Sequence, residues 1–289
     1  MKLSIGVAAV LIALWSIVPV YWVVNLSFQT RLQIYSLPSS LLPPAPTLEN
    51  YLRAFGLSTA SSFGSLAGNG LVPQFLSGLQ NSMVVATLVM FATLALCIPA
   101  GYAFARFSFP YRSAIFFTIL FARSLPPIAT SIPYYQFYKQ IGLLGSIPGL
   151  LLVHMTLTVP LTTWVLSGFF SSLPVELDKQ GRMDGCTRFR LFSRVIIPIA
   201  APGLAAVAVL AWLTSWNEFV LALLLAYTRD LYTIAPALAA PLFGIGTDVE
   251  LYTAFASVAL VPSVIAAVIL QKFMTRLKIV DPLTFVAPG

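Results

Sequence analysis

The chain has 289 residues, of which 58% are apolar and only 9% charged, with a formal net charge of +7. An ordinary soluble domain carries about 25% charged residues, and a chain this apolar cannot cover its surface with polar groups in water. Composition therefore excludes a soluble globular protein and makes lipid the solvent. The basic residues are interspersed among apolar runs rather than gathered in one patch, so they are read by side of a membrane and no nucleic-acid partner is expected. Cys97 and Cys186 lie far apart with no CxxC or zinc spacing, so neither a disulfide nor a metal site is expected.

Taken in order, residues 3–28 form the first apolar run. A signal peptide has an apolar region of about 7–15 residues followed by a small-residue cleavage site. This run is longer and has no such site, so it reads as a retained membrane helix. Residues 29–76 hold Pro38, Pro43, Pro44 and Pro46 and a Gly/Ser-rich patch, which reads as an irregular external loop with one short helix near 48–55. Further apolar runs follow at 79–105, 113–133, 147–170, 200–226 and 251–273. Each approaches or exceeds the ~20 residues that cross a ~30 Å hydrocarbon core. In lipid the backbone must satisfy its own hydrogen bonds, and the runs lack the alternation of a barrel, so they are helices. The expected fold is an all-α polytopic membrane protein, one transmembrane domain over 1–289 with six spans. Pro19, Pro99, Pro126, Pro127, Pro160 and Pro262 fall within the spans and predict kinked or broken helices.

Six spans put both termini on one side. With that side inside, inner segments hold Lys2, Arg106, Arg112, Lys179, Arg182, Arg188, Arg190, Arg194, Lys272, Arg276 and Lys278, while outer ones hold only Arg31, Arg53, Lys139 and Arg229. The bias of basic residues places both termini and the 174–199 loop in the cytoplasm of a multi-pass protein of the cell membrane, with 227–250 an external loop.

The cytoplasmic loop is the most polar part of the chain. Glu176, Asp178, Lys179, Arg182, Asp184, Arg188, Arg190 and Arg194 crowd into it. Residues 175–183 have the composition of a short helix, Gly185 permits a turn with positive φ, and 187–195 resumes as a second helix with Thr187 as N-cap. Asp184 is placed to satisfy free amides at the turn. Two short helices and a sharp turn make a knob suited to a groove on a soluble partner; a loop lying on lipid phosphates through its arginines is the other reading.

Pro174, Asp184-Gly185, Ile197-Pro198 and Pro202 resemble the cytoplasmic "EAA" loop of ABC importer permeases, and the chain is similar to the carbohydrate-uptake branch, the maltose-permease G-subunit type. Supporting matches are Asn81-Ser82, Tyr102-Ala103-Phe104-Ala105-Arg106, Leu125-Pro126-Pro127 through Ile132-Pro133, Trp164 through Phe170, and Ser215-Trp216-Asn217-Glu218-Phe219. They cover most of the chain from Asn81 onward. Where the family usually has Glu-Ala-Ala, this chain has Lys179-Gln180-Gly181, and its tail from Asp281 lacks the family's basic, Gly-rich character.

The resemblance implies a type I ABC importer permease fold and a non-catalytic subunit of a binding-protein-dependent sugar importer. A second permease subunit, two ATPase subunits, a solute-binding protein outside the cell and membrane lipid are the implied partners. The chain has no GxxxxGK[ST] loop, so ATP and magnesium are expected on the ATPase subunits and no cofactor on this chain. Coupling to the ATPase is expected at Glu176, Asp178, Lys179, Arg182, Met183, Asp184, Gly185 and Phe189. The 227–250 loop, with Pro241, Gly244 and Gly246, is similar to the loop that meets the binding protein; an ordinary connection is the alternative.

Within the spans, Arg123, Asn217 and Glu218 are candidates for the translocation path. Arg123 lies near mid-depth, where an unpaired charge is costly, so an ion pair with Glu218 competes with that role. Asn217 binds substrate or ties helices together. His154, the sole histidine, reads as a hydrogen-bonded bundle residue. The aromatics Tyr134, Tyr135, Phe137 and Tyr138 read as an interfacial belt. A membrane enzyme would need clustered His or carboxylates at one depth, which the chain lacks. An ion-coupled secondary transporter of a small polar solute is the alternative function, with Glu218 the acid it would use.

Overall fold

The structure is a computed structural model that describes residues 2–37, 40–58, 68–226, 229–239 and 248–274. It is helical wherever it is regular. In chain order the helices are α1 (Lys2–Ser27), α2 (Arg31–Ile34), α3 (Glu49–Ala54), α4 (Gly68–Arg106), α5 (Arg112–Ala122), α6 (Pro127–Gln140), α7 (Ile147–Ser172), α8 (Glu176–Met183) and α9 (Arg188–Leu191). A π-helical turn (Phe192–Ile196) leads directly into α10 (Ile197–Trp216), followed by α11 (Val220–Leu225), a 3-10 turn (Arg229–Leu231), α12 (Ile234–Ala239) and α13 (Val249–Met274). Among the described residues five helical stretches are long and apolar enough to cross a membrane, and six if the bent pair α5–α6 counts as one span.

Contacts divide the chain into two compact units, Met1–Gln80 with Tyr232–Pro262, and Asn81–Leu231 with Ser263–Gly289. In the first, the C-terminal end of α1 is docked by α3. Asn50 donates to the carbonyls of Ser27 and Gln29, both at 2.9 Å, so acceptors that a helix end leaves open are satisfied inside the protein. The Ser27 hydroxyl lies 2.6 Å from the Tyr51 hydroxyl, and a buried Arg53–Asp248 ion pair ties α3 to the start of α13. Phe75 on α4 stacks on Phe255 of α13 with ring centroids 4.2 Å apart. The rest of α1 is different: among the described residues its membrane-length window has none buried, and Trp15 is 84% exposed. Such a helix is stable only against lipid or another protein.

In the second unit, one cluster gathers Cys97, Tyr102, Leu166, Phe170, Leu191, Ile196, Ala200, Leu204 and Val207, joining α4, α7, α9 and α10. Glycines set the close approaches: a Cβ on Gly101 would stand 2.7 Å from Leu166 Cβ, and one on Gly203 2.6 Å from the Phe169 ring. A second cluster joins Val85, Val89, Tyr138, Leu150, Val153, Leu221, Ala222 and Leu225.

Three helix boundaries differ from the sequence expectation. First, α4 starts at Gly68, within the expected loop, and runs for 39 residues. Gly70 and Pro73 argue against helix locally, but Phe75 is buried and Gly78 lets α4 approach Ala237 of α12, so packing overrides propensity. Second, the expected span at 113–133 is bent by 94° between α5 and α6. Pro126 takes an extended conformation as N-cap and Pro127 opens α6, which leaves neither residue able to continue α5. Third, the helix expected at 200–226 begins much earlier and stops earlier. Arg188–Trp216 is one helical stretch, with the π-turn absorbing Pro198, whose missing amide and bulky ring disturb the preceding turn. The chain then breaks at 217–219 before α11.

Candidate functional site

The polar 174–199 loop is built around one glycine. Gly185 has φ +73°, the left-handed region that Cβ disfavours in other residues. Its amide donates to Arg182 O at 3.1 Å and the Cys186 amide to Gly181 O at 2.9 Å, the paired bonds of a Schellman stop that ends α8. Thr187 then caps α9, its hydroxyl accepting from the Arg190 amide at 3.3 Å. Asp184 occupies the C-cap of α8, not the start of α9, and its carboxylate binds no amide among the described residues. Because α9 runs through the π-turn into α10, the second arm of the knob is one end of a membrane-length helix rather than a separate short piece.

The knob has two faces. Inward, Asp178 is gripped from α4: the Tyr102 hydroxyl donates to Oδ1 at 2.8 Å, and Arg106 Nε lies 3.2 Å from Oδ2. The same guanidinium donates to the carbonyl of Leu173 at 2.7 Å and reaches that of Pro174 at 3.4 Å, where α7 ends. Gly181 is buried on α9, and a Cβ there would lie 2.5 Å from Leu191 Cδ1. Phe192 packs on Tyr102 with centroids 4.8 Å apart, and the Arg188 guanidinium lies 5.4 Å from the centre of the Phe107 ring.

Outward stand Glu176, Lys179, Gln180, Arg182, Asp184, Gly185 and Arg190, with Met183 79% and Phe189 78% exposed. Two large apolar side chains projecting among charges are an arrangement that a protein groove can cover. Of the residues expected to meet an ATPase, Asp178 is turned away from this face. Gly181, which departs from the usual alanine, is a packing residue between α8 and α9.

Of the polar residues of the apolar runs, Glu218 is buried at the break between α10 and α11. Its Oε1 accepts from the Leu221 amide at 2.9 Å and its Oε2 from Ala222 at 2.8 Å, satisfying amides that open α11. His154 of α7 faces the same break, with Nδ1 2.7 Å from Ser215 Oγ and Nε2 3.6 Å from Glu218 Oε2. Farther along α7, Thr158 meets Thr93 of α4 at 2.8 Å, oxygen to oxygen. The anticipated Arg123–Glu218 ion pair does not form. Glu218 is taken up by the α11 amides, and Arg123 sits exposed at the α5–α6 bend with no ion pair among the described residues. Asn217 is exposed and returns its amide to Leu213 O at 2.8 Å. The structure thus keeps Arg123, Asn217 and Glu218 apart in role: two exposed, one buried as a cap. Pro241, Gly244 and Gly246 lie outside the described residues. Among the described residues no group of three His, Cys, Asp or Glu is placed to hold a metal.

Residues 97–279 match the family of binding-protein-dependent transport system inner membrane components, well over half of the chain. The chain belongs to this family. The permease is 31% identical to the sulfoquinovosyl glycerol transport system permease protein of Agrobacterium fabrum, over 75% of this chain and 71% of that one. It is 32% identical to the trehalose transport system permease protein of Mycobacterium tuberculosis, over 78% and 76%. To the trehalose/maltose transport system permease protein of Thermococcus litoralis it is 28% identical over 94% and 93%. In fold it is similar to a chain of a bacterial ABC transporter involved in the import of the acidic polysaccharide alginate, with a TM-score of 0.76, 18% identity, and 94% and 95% of the two chains covered. The permease is therefore an all-α, multi-pass membrane subunit with the type I importer fold, and such subunits work with an ATPase and a solute-binding protein.

Two features of the permease escaped the sequence reading. Tyr102 and Arg106 were legible only as a motif; their spacing puts both on one face of α4, which is the signal that they share a target. His154 was legible as a hydrogen-bonded bundle residue, but its partners Ser215 and Glu218 had no sequence signal, because they lie on a segment far along the chain.

Proposed function

We propose that this chain is one of two membrane subunits of an ATP-driven importer for a sugar or oligosaccharide, paired with a second, different permease subunit. Two cytoplasmic ATPase subunits hold the ATP and magnesium, this chain catalyses no reaction, and a binding protein delivers the solute from outside. The observation that carries the reading is the 174–199 knob. It presents Met183 and Phe189 with flanking charges on its free face, and its second arm is continuous with α10. ATPase closure displaces the knob, the displacement tilts α10 and the helices packed on it, and the pathway opens to alternate sides. Both termini and the knob lie in the cytoplasm, as the distribution of basic residues supports. The sugar class rests on the transport functions for which the relatives at about 30% identity are named.

Arg123 and Asn217 are the candidates for the lining of the path, since both are exposed on this subunit alone. The 227–250 loop, with Pro241, Gly244 and Gly246, is the candidate contact for the binding protein. An ion-coupled carrier is not favoured: Glu218, the acid it would use, is engaged by two backbone amides. Affinity purification from the native membrane tests the reading. A nucleotide-binding subunit is expected in the eluate, and solute uptake by reconstituted vesicles is expected to need ATP and the binding protein. Uptake driven by an ion gradient without such a subunit would overturn it.

A further inference from the structure

We propose that Tyr102 and Arg106 are positioning residues for coupling: they fasten the ATPase-facing helix α8 to the inner end of α4, so that α4 moves with the knob. The inference rests on the docking of an ATPase at this loop and extends it to a second membrane helix. The covalent chain links α8 only to α7 and, through the turn, to α9 and α10. Asp178 adds α4, because Tyr102 and Arg106, four residues apart on one helical face, reach the same carboxylate.

Several features make this junction rigid. The Arg106 and Asp178 side chains are 9% and 16% exposed, so their ion pair is little screened by water. Arg106 simultaneously holds the Leu173 carbonyl at 2.7 Å, which fixes the point where α7 passes into α8. A guanidinium serves both partners through a planar array of donors, which an ammonium lacks. Phe192 and Phe170 flank the Tyr102 ring at 4.8 and 5.6 Å between centroids, so the clamp is seated in the same apolar cluster as the base of α10. A push on the exposed Met183–Phe189 face must then carry the inner end of α4 along or break a half-buried ion pair and the hydrogen bonds around it.

The test uses the complex of this permease with its co-expressed partners, with Cys97 and Cys186 replaced and a reporter introduced as Leu96→Cys on α4. Leu96 is 57% exposed, so a maleimide reads its surroundings. Labelling is timed with and without ATP and vanadate, and the probe does not depend on knowing the sugar. The parent is expected to show a labelling rate that changes with nucleotide by about tenfold, the scale of an ordinary coupling between sites. Arg106→Gln should abolish that change while the ATPase subunits still co-purify and still hydrolyse ATP. Tyr102→Phe should reduce it about threefold, and Arg106→Lys should restore part of it. A merely structural clamp would lower complex yield or thermal stability and leave the nucleotide-dependent ratio intact, which refutes the proposal. A parent whose labelling ignores nucleotide refutes it as well. Should Arg106→Gln fail to assemble, Tyr102→Phe decides by the same ratio. Absence of any ATPase subunit from the parent complex would instead overturn the proposed function.

Discussion

Gly185 offers a clean perturbation, because its cost is confined to the backbone. It sits at φ +73°, and a Cβ built on it would meet no heavy atom within 4 Å. Substitution there is paid in conformation alone, not in steric overlap. A non-glycine residue in the left-handed region costs about 1–2 kcal/mol, less for asparagine and more for a β-branched side chain. Alanine should therefore raise the population of opened α8–α9 turns by roughly five- to thirtyfold, since 1.4 kcal/mol is a factor of ten. The amides to watch are those of Gly185 and Cys186, whose bonds to Arg182 O and Gly181 O close the turn. Hydrogen exchange followed by mass spectrometry on the purified complex reads their opening free energy directly. Protection is expected to fall in the order Gly185→Asn, Gly185→Ala, Gly185→Val, with complex yield tracking it. Equal losses for all three would mean that side-chain crowding, not backbone strain, sets the cost, and the turn argument would be wrong.

Gly181 is the contrasting case: Gly181→Ala gains about 1 kcal/mol of helix propensity but must displace the buried Leu191, an overpacking cost of about 1–3 kcal/mol. A net loss of thermal stability is expected, relieved by adding Leu191→Val; an unrelieved double variant would refute the packing account. Glu218→Ala removes the acceptor for two buried amides and should cost about 2–3 kcal/mol in thermal unfolding of the purified complex, with Glu218→Gln losing roughly half as much. Stability equal to the parent for Glu218→Ala would show that the cap is dispensable. Arg123→Ala breaks no ion pair, so the complex should assemble in normal yield while uptake falls; loss of assembly in a pull-down would restore the ion-pair reading.

The apolar runs made the class of this protein legible, because crossing lipid demands helices of a fixed minimum length and leaves few alternatives. The turn of the knob was legible for a similar reason, since Gly185 supplies a backbone conformation that other residues disfavour. What the sequence misplaced were helix limits governed by distant contacts. Gly70 and Pro73 look like loop residues until Phe75 is seen stacked on Phe255, and the span expected to open at 200 proves to continue α9 through the π-turn.

The sequence by itself determined the solvent, the helical class and the position of the polar knob, since hydrophobicity and the special backbone needs of glycine and proline act locally. Which side of the knob is left free was decided only by tertiary structure. Asp178 and Lys179 are neighbours of opposite charge in one short helix, and nothing local distinguishes their tasks. One is withdrawn because Tyr102 and Arg106 arrive from a helix more than sixty residues away, and the other is left exposed because no described residue covers it. Glu218 follows the same rule: an acid in an apolar run is costly wherever it lies, and only the break that exposes the amides of Leu221 and Ala222 gives it a partner.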